Sequence, residues 1–221
     1  HRRALAAIAA GKFKAEISPI AAIYRSADLK TREALEIRKW LDTDEGPRAD
    51  TSLEGLAKLR PVFAAKGSVT AGNSSQMSDG AGALLVCSEE AIKRYGFTPL
   101  ARYDGFAVRG VPPEIMGIGP KEAIPAVLKS SGRTLADIKW MELNEAFAAQ
   151  ALAVIRDLDL DTNIVNPNGG AIALGHPLGA TGAIRAATVI HGMRERGETG
   201  YGMVTMCIGT GMGAAGLIEV L

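Results

Sequence analysis

The chain is poor in cysteine and aromatic residues. Cys87 and Cys207 are the only two thiols among 221 residues, and Phe, Trp and Tyr together make up 5%. Two cysteines cannot form a disulfide framework, so stability has to come from a packed core. Charge of one sign is also lacking, with 25 basic against 24 acidic residues. That balance removes the basic field expected of a nucleic-acid or membrane-surface binder. No apolar run reaches the roughly 18 residues needed to span a bilayer. There is no Walker-type loop, no metal-spaced His/Cys cluster and no Gly-x-Ser-x-Gly elbow. No metal site or bound cofactor is therefore expected. An initiator methionine and a signal peptide are missing too, and His1 opens within an alanine-rich helical pattern. The chain therefore reads as a piece of a longer protein, cytoplasmic if bacterial and compatible with an organelle.

What the chain has in quantity is glycine, 26 residues, much of it in two carboxy-terminal runs. Asn166 to Gly182 reads Asn-Pro-Asn-Gly-Gly-Ala-Ile-Ala-Leu-Gly-His-Pro-Leu-Gly-Ala-Thr-Gly, with one imidazole, His176, between a glycine and a proline. Glycine lets a ligand approach the backbone and proline fixes the chain, so the ring sits on a tightly shaped loop. A histidine there is a donor, acceptor or base, or else a hydrogen-bonded loop residue. Cys207 opens the second run, Cys-Ile-Gly-Thr-Gly-Met-Gly. A free cysteine is most often a small buried hydrophobe. Here Gly209, Gly211 and Gly213 after it expose N–H groups that could converge on a developing oxyanion. Asn144 stands at a strand-to-helix switch, Asn-Glu-Ala-Phe, where it could be an N-cap or part of a ligand site.

The remaining pattern is α/β. Alanine content predicts a helix over His1 to Ala10, and the high charge of Ser26 to Arg48 reads as a surface excursion with some helix. A short helix is expected over Ser52 to Leu59, and a polar loop over Val69 to Ser78. Ala81 to Cys87 reads as a buried strand, followed by a helix capped by Ser88 and ended at Gly96. Leu100 to Val108 reads as a strand. A helix begins at Pro120 and ends near Gly132, and a capping box joins Thr134 to Asp137. Strands are then expected over Ile138 to Leu143 and at Ile164 and Val165. A helix from Asn144 onward reaches Asp157, and another covers Ala180 to Arg196 with a stripe at Ala183, Ala186, Ile190 and Met193. Gly202 to Met206 and Ala214 to Leu221 form an expected hairpin.

Asn-Glu-Ala-Phe (Asn144 to Phe147), the His176 run (Asn168 to Gly182) and Cys207 to Gly213, in that order and spacing, resemble the thiolase family. The similarity extends to Val69 to Gly82 and Ile115 to Pro120. It implies a thiolase-type domain, a mixed five-stranded sheet with helices on both faces, preceded by a loop-domain fragment. Residues 1–77 would be the end of the loop domain, and 78–97 the last strand and helix of the amino-terminal domain. Residues 98–221 would be the carboxy-terminal domain. The implied activity is cleavage of 3-oxoacyl-CoA by CoA, with CoA and acyl-CoA as substrates. Asn73 to Gln76, Met116 to Pro120 and Glu54 to Pro61 favour that degradative group over the biosynthetic acetoacetyl-CoA group.

The resemblance implies that His176 activates the nucleophile and that Cys207 handles the proton of the CoA thiol or the acetyl α-carbon. Asn144 would position a water in one oxyanion hole, and the Gly209 N–H would serve a second. Ser75 would meet the pantetheine arm, while Met116 and Phe147 line the acyl region. The family's nucleophilic cysteine is absent, and Cys87 aligns with a structural position. The expected partners are the missing amino-terminal half and further copies in a homodimer or homotetramer. A CoA-binding half without catalysis of its own is the alternative. A related condensing synthase would carry two histidines in place of His176 and Cys207.

Overall fold

Residues 1–221 are described by a computed structural model. The first helix, α1 (Arg2–Ala9), follows from its alanine content and buries Ala4 and Ala7. The charged excursion is not helical. It forms an antiparallel hairpin of β1 (Ile20–Ala27) and β2 (Ala34–Leu41), in register from Ile20 opposite Leu41 to Ala27 opposite Ala34. Leu35, Ile37, Tyr24 and Ile20 share one face with period two, but Lys39 and Ser26 fall on that same face and break the alternation in the sequence. The turn is closed by the Asp28 carboxylate, which accepts the N–H groups of Lys30 (2.8 Å) and Thr31 (3.3 Å).

A short helix α2 (Leu53–Ala57) starts at Ser52, whose hydroxyl accepts the Gly55 N–H. The segment from Ala81 to Cys87, expected as a buried strand, pairs with nothing and lies largely exposed. An apolar run reads as a buried strand only if another strand stands beside it, and these residues supply none. Helix α3 (Glu89–Tyr95) follows, capped by Ser88 and ended at Gly96 as expected.

The core is a four-stranded sheet. Along the chain come β3 (Ala101–Gly110), α4 (Gly119–Ser131), β4 (Ile138–Leu143), α5 (Ala148–Asp157), α6 (Ala171–Leu174), α7 (Thr181–Glu195), β5 (Gly200–Ile208) and β6 (Met212–Val220). The spatial order is β3-β6-β5-β4, with β4 and β5 parallel and the other neighbours antiparallel. The expected fifth strand is reduced to an isolated parallel bridge between Met141 and Val165. Asn166, at φ 46°, turns the chain away there. Its side chain finishes the pairing instead, with Oδ1 accepting the Leu143 N–H (2.9 Å) and Nδ2 donating to the Leu143 carbonyl (2.8 Å).

Helices cover both sheet faces. On one, Ile124, Val127 and Leu128 of α4 and Val154 of α5 pack on Met141, Leu143, Met203 and Leu217. On the other, Val189 and Met193 of α7 pack on Trp140 and Val220. Each such side chain taken fully out of water contributes about 1.5–3 kcal/mol. Gly192 presses directly on the Trp140 ring, and the Arg196 guanidinium lies 4.3 Å from that ring's centre. Two layers of helix about one sheet leave the carboxyl ends of β4 and β5 side by side, where open α/β sheets place their sites.

Candidate active site

Asn144 follows directly on β4, and its N–H bonds to the Thr205 carbonyl of β5 (2.9 Å). It is not the cap of α5, which begins four residues later with Phe147 at the capping position. The Asn144 side chain is 1% exposed, and neither its Oδ1 nor its Nδ2 has a hydrogen-bond partner. Leaving such a group dry costs about 1–3 kcal/mol per polar atom, so the amide calls for a water or a ligand oxygen. The next residue, Glu145, accepts from Asn166 Nδ2 (3.2 Å) and from the Ile172 N–H (3.2 Å), tying β4 to the start of the glycine-rich run.

His176 is half-buried beyond α6. The Thr181 hydroxyl donates to the Pro177 carbonyl (2.9 Å), and His176 Nδ1 lies 2.7 Å from that hydroxyl's oxygen. One hydroxyl has one proton, so this network assigns the ring proton to Nδ1 and leaves the Nε2 lone pair free. Burial, then the nearby Arg185 charge, hold the imidazole below its ordinary pKa of 6.5. A neutral ring with a bare Nε2 is a base at neutral pH. Gly175, just before it, adopts φ 91° and packs on the Ser78 hydroxyl, a position where any side chain would clash.

Cys207, half-buried, lies two residues beyond Thr205 on β5, so it extends past the β4 end that carries Asn144. Burial pushes its thiol up from 9.0, so it rests protonated. Gly209 is exposed with open space beside it. No hydrogen bond joins His176, Cys207 and Asn144 to one another. Asn144 follows β4 and Cys207 lies near the end of β5, while His176 stands on the loop between α6 and α7.

Ser75, Phe147 and Met116 gather at the start of α5. The Ser75 N–H bonds to the Ala146 carbonyl (2.9 Å), and Ser74 bridges Phe147. Gln150 Nε2 donates to the carbonyl of Gly117, next to Met116 (2.9 Å). Phe63, whose ring meets Phe147 edge-on at 5.8 Å, has no local spacing that marks it in the sequence. Gln76, within the Asn73 to Gln76 segment, donates to the Gly46 (3.2 Å) and Ala173 (2.8 Å) carbonyls, contacts distant in sequence that no local pattern reveals. No group of three or more His, Cys, Asp or Glu side chains is placed to hold a metal ion. No helix is long and apolar enough to cross a membrane.

Residues 97–220 match the family model described as thiolase, C-terminal domain, and residues 1–90 match thiolase, N-terminal domain. The chain is 51% identical over 220 residues to a 3-ketoacyl-CoA thiolase of Bacillus subtilis, covering 100% of this chain and 56% of that protein. It is 47% identical to the peroxisomal 3-ketoacyl-CoA thiolase of Homo sapiens, covering 99% and 50%. Among solved structures, human mitochondrial 3-ketoacyl-CoA thiolase in complex with CoA superposes with a TM-score of 0.90 at 46% identity, covering 99% and 52%. The dimeric peroxisomal thiolase of Saccharomyces cerevisiae gives 0.81 at 43%, with the same coverage. The chain thus spans about half the length of the relatives it matches.

Proposed function

Because the chain belongs to the thiolase family, we propose that the protein containing these residues cleaves 3-oxoacyl-CoA with CoA, giving acetyl-CoA and a shortened acyl-CoA in fatty-acid β-oxidation. The observation that carries this reading is the buried Asn144 amide with no partner, set just past the end of β4 and beside Thr205 of β5. A water held there would face the oxygen that becomes negative when a thiolate adds to a carbonyl.

The chemistry divides by protonation state. A nucleophilic cysteine outside these residues gives its proton to His176 Nε2 and adds to the C3 carbonyl. The C2–C3 bond then breaks, and the Cys207 thiol protonates C2 to release acetyl-CoA. The resulting Cys207 thiolate takes the proton of an incoming CoA thiol, which attacks the acyl-enzyme and frees the nucleophile. His176 held neutral and Cys207 held protonated suit a base and an acid respectively. Gly209 would donate its N–H to the second thioester oxygen. Ser75 would meet the pantetheine arm, with Met116 and Phe147 lining the acyl channel. Homodimer formation is part of the proposal, supported by the dimeric yeast relative.

The test is thiolysis by the complete protein. His176→Ala and Cys207→Ala should each lower kcat by about 10²–10⁴-fold, the range for a lost general acid or base. Near-normal turnover in either variant overturns the assignment. The 221 residues by themselves should show no thiolysis, since Cys87 and Cys207 are their only thiols.

A further inference from the structure

Arg185 lies inside α7, nine residues beyond His176, and is only 3% exposed. A cation in the interior of a helix needs partners, and those of Arg185 come from two other segments. Nη1 donates to Glu142 Oε2 on β4 (3.3 Å), and Nη2 donates to the carbonyl of Gly175 (3.3 Å). Glu142, fully buried, receives the Trp140 indole N–H on its other oxygen (2.7 Å). The carboxylate is thereby held on both sides, and it holds the guanidinium. Gly175 is the residue from which His176 springs. With the Gly175 carbonyl tied to Arg185 and Nδ1 tied to Thr181, the imidazole is fixed both at its backbone root and at one ring nitrogen.

A buried ion pair adds little net stability over a packed apolar pair of the same size, so core stability alone does not explain this one. We propose that Arg185, clamped by Glu142, is a positioning residue for His176: it fixes the Gly175 carbonyl and, through it, the direction of the ring, without touching substrate. The proposal rests on His176 acting as the base in the thiolase reaction.

Other charged groups face the same guanidinium. Glu16, after α1, lies near both Arg185 and Glu142, and burial pushes its carboxyl up to about 7 against the lowering effect of the Thr188 hydroxyl. Asp44, after β2, is raised by burial and lowered by Arg185. Glu142 is raised by burial, and Arg185 and Trp140 draw it back, while Glu145 adds to the rise. Arg185 is the charge that, after burial, lowers His176.

The experiment measures kcat and KM of the complete protein across the neutral pH range for Arg185→Met, Arg185→Lys, Glu142→Gln and His176→Ala. Arg185→Met should lower kcat by about 10–100-fold, as expected for a misaligned base, with KM for CoA unchanged. Its acid limb should move to higher pH, because the lost cation no longer disfavours the imidazolium. Arg185→Lys keeps the charge but cannot reach both partners, so kcat should fall while the acid limb stays in place. Glu142→Gln should lower kcat less, again with KM unchanged. Thermal unfolding checks that each variant folds, and if Arg185→Met does not fold, the Lys and Gln variants decide. Wild-type kcat in the folded variants, or a loss seen in KM rather than kcat, overturns the proposal. Should His176→Ala keep turnover, the catalytic reading itself fails. If only His176→Ala loses activity, the positioning role alone is overturned.

Discussion

Asn144 places two uncompensated polar atoms just past the end of β4. Selection for stability alone would remove them, so the residue offers a way to separate function from folding. Asn144→Ala should cost about 10²–10³-fold in kcat, the effect of losing one oxyanion contact. The thermal midpoint of the same variant should hold or rise, because no satisfied hydrogen bond of the side chain is lost. Parallel loss of activity and stability would instead mark Asn144 as a structural residue. His176 and Cys207 show the complementary case. Burial moves them in opposite directions, down for the imidazole and up for the thiol, because each is pushed toward its uncharged form. In each case burial favours the neutral form that the proposed base or acid needs. His176 and Cys207 could be picked out in the sequence because glycines frame both. Arg185 could not, since an arginine in an amphipathic helix ordinarily faces solvent.

Among the elements, the tightest junction is that between α4 and β6. The backbones of Gly119 and Gly213 touch, and a methyl group on Gly213 would overlap the Gly119 carbonyl. Gly213→Ala should therefore destabilise the fold by about 1–3 kcal/mol, the usual cost of overpacking. Urea unfolding measures this, and an unchanged midpoint would show that the junction can yield. Elements with local punctuation were legible in the sequence. Ser88 caps α3, Gly132 ends α4, and Thr134 with Asp137 forms the expected capping box of the single helical turn Leu135–Asp137. Strands β4, β5 and β6 followed from their apolar runs. The hairpin β1–β2 was obscured because its charged residues interrupt the alternation. The Ala81 to Cys87 run and the shortened fifth strand failed for a different reason. Whether an apolar run becomes a strand depends on neighbours that lie far away in sequence or outside these residues altogether.

For the whole molecule, the unpaired segment has a direct consequence. Leu84, Leu85 and Val86 are 45%, 77% and 85% exposed on a stretch outside any helix or strand, with no backbone partner. Tyr24, Leu35, Ile37 and Ile20 on one side of the β1–β2 hairpin add to the uncovered apolar surface. Exposed surface of this kind drives association. The 221 residues alone should self-associate with rising concentration in sedimentation velocity, and Leu85→Lys with Val86→Lys should reduce it. A monodisperse unsubstituted chain would contradict this.

The Asn166 side chain has a further effect on how the molecule meets others. A sheet edge with idle N–H and C=O groups is a template on which a foreign strand can grow. On the outer side of β4, Met141 bonds to the backbone of Ile164 and Asn166, and the Asn166 amide occupies both backbone groups of Leu143. Ile164 and Asn166 thus blunt that edge at Met141 and Leu143 without a full strand. The other edge of the four-stranded sheet, β3, carries no such cover and is the easier one for an intruding chain to extend.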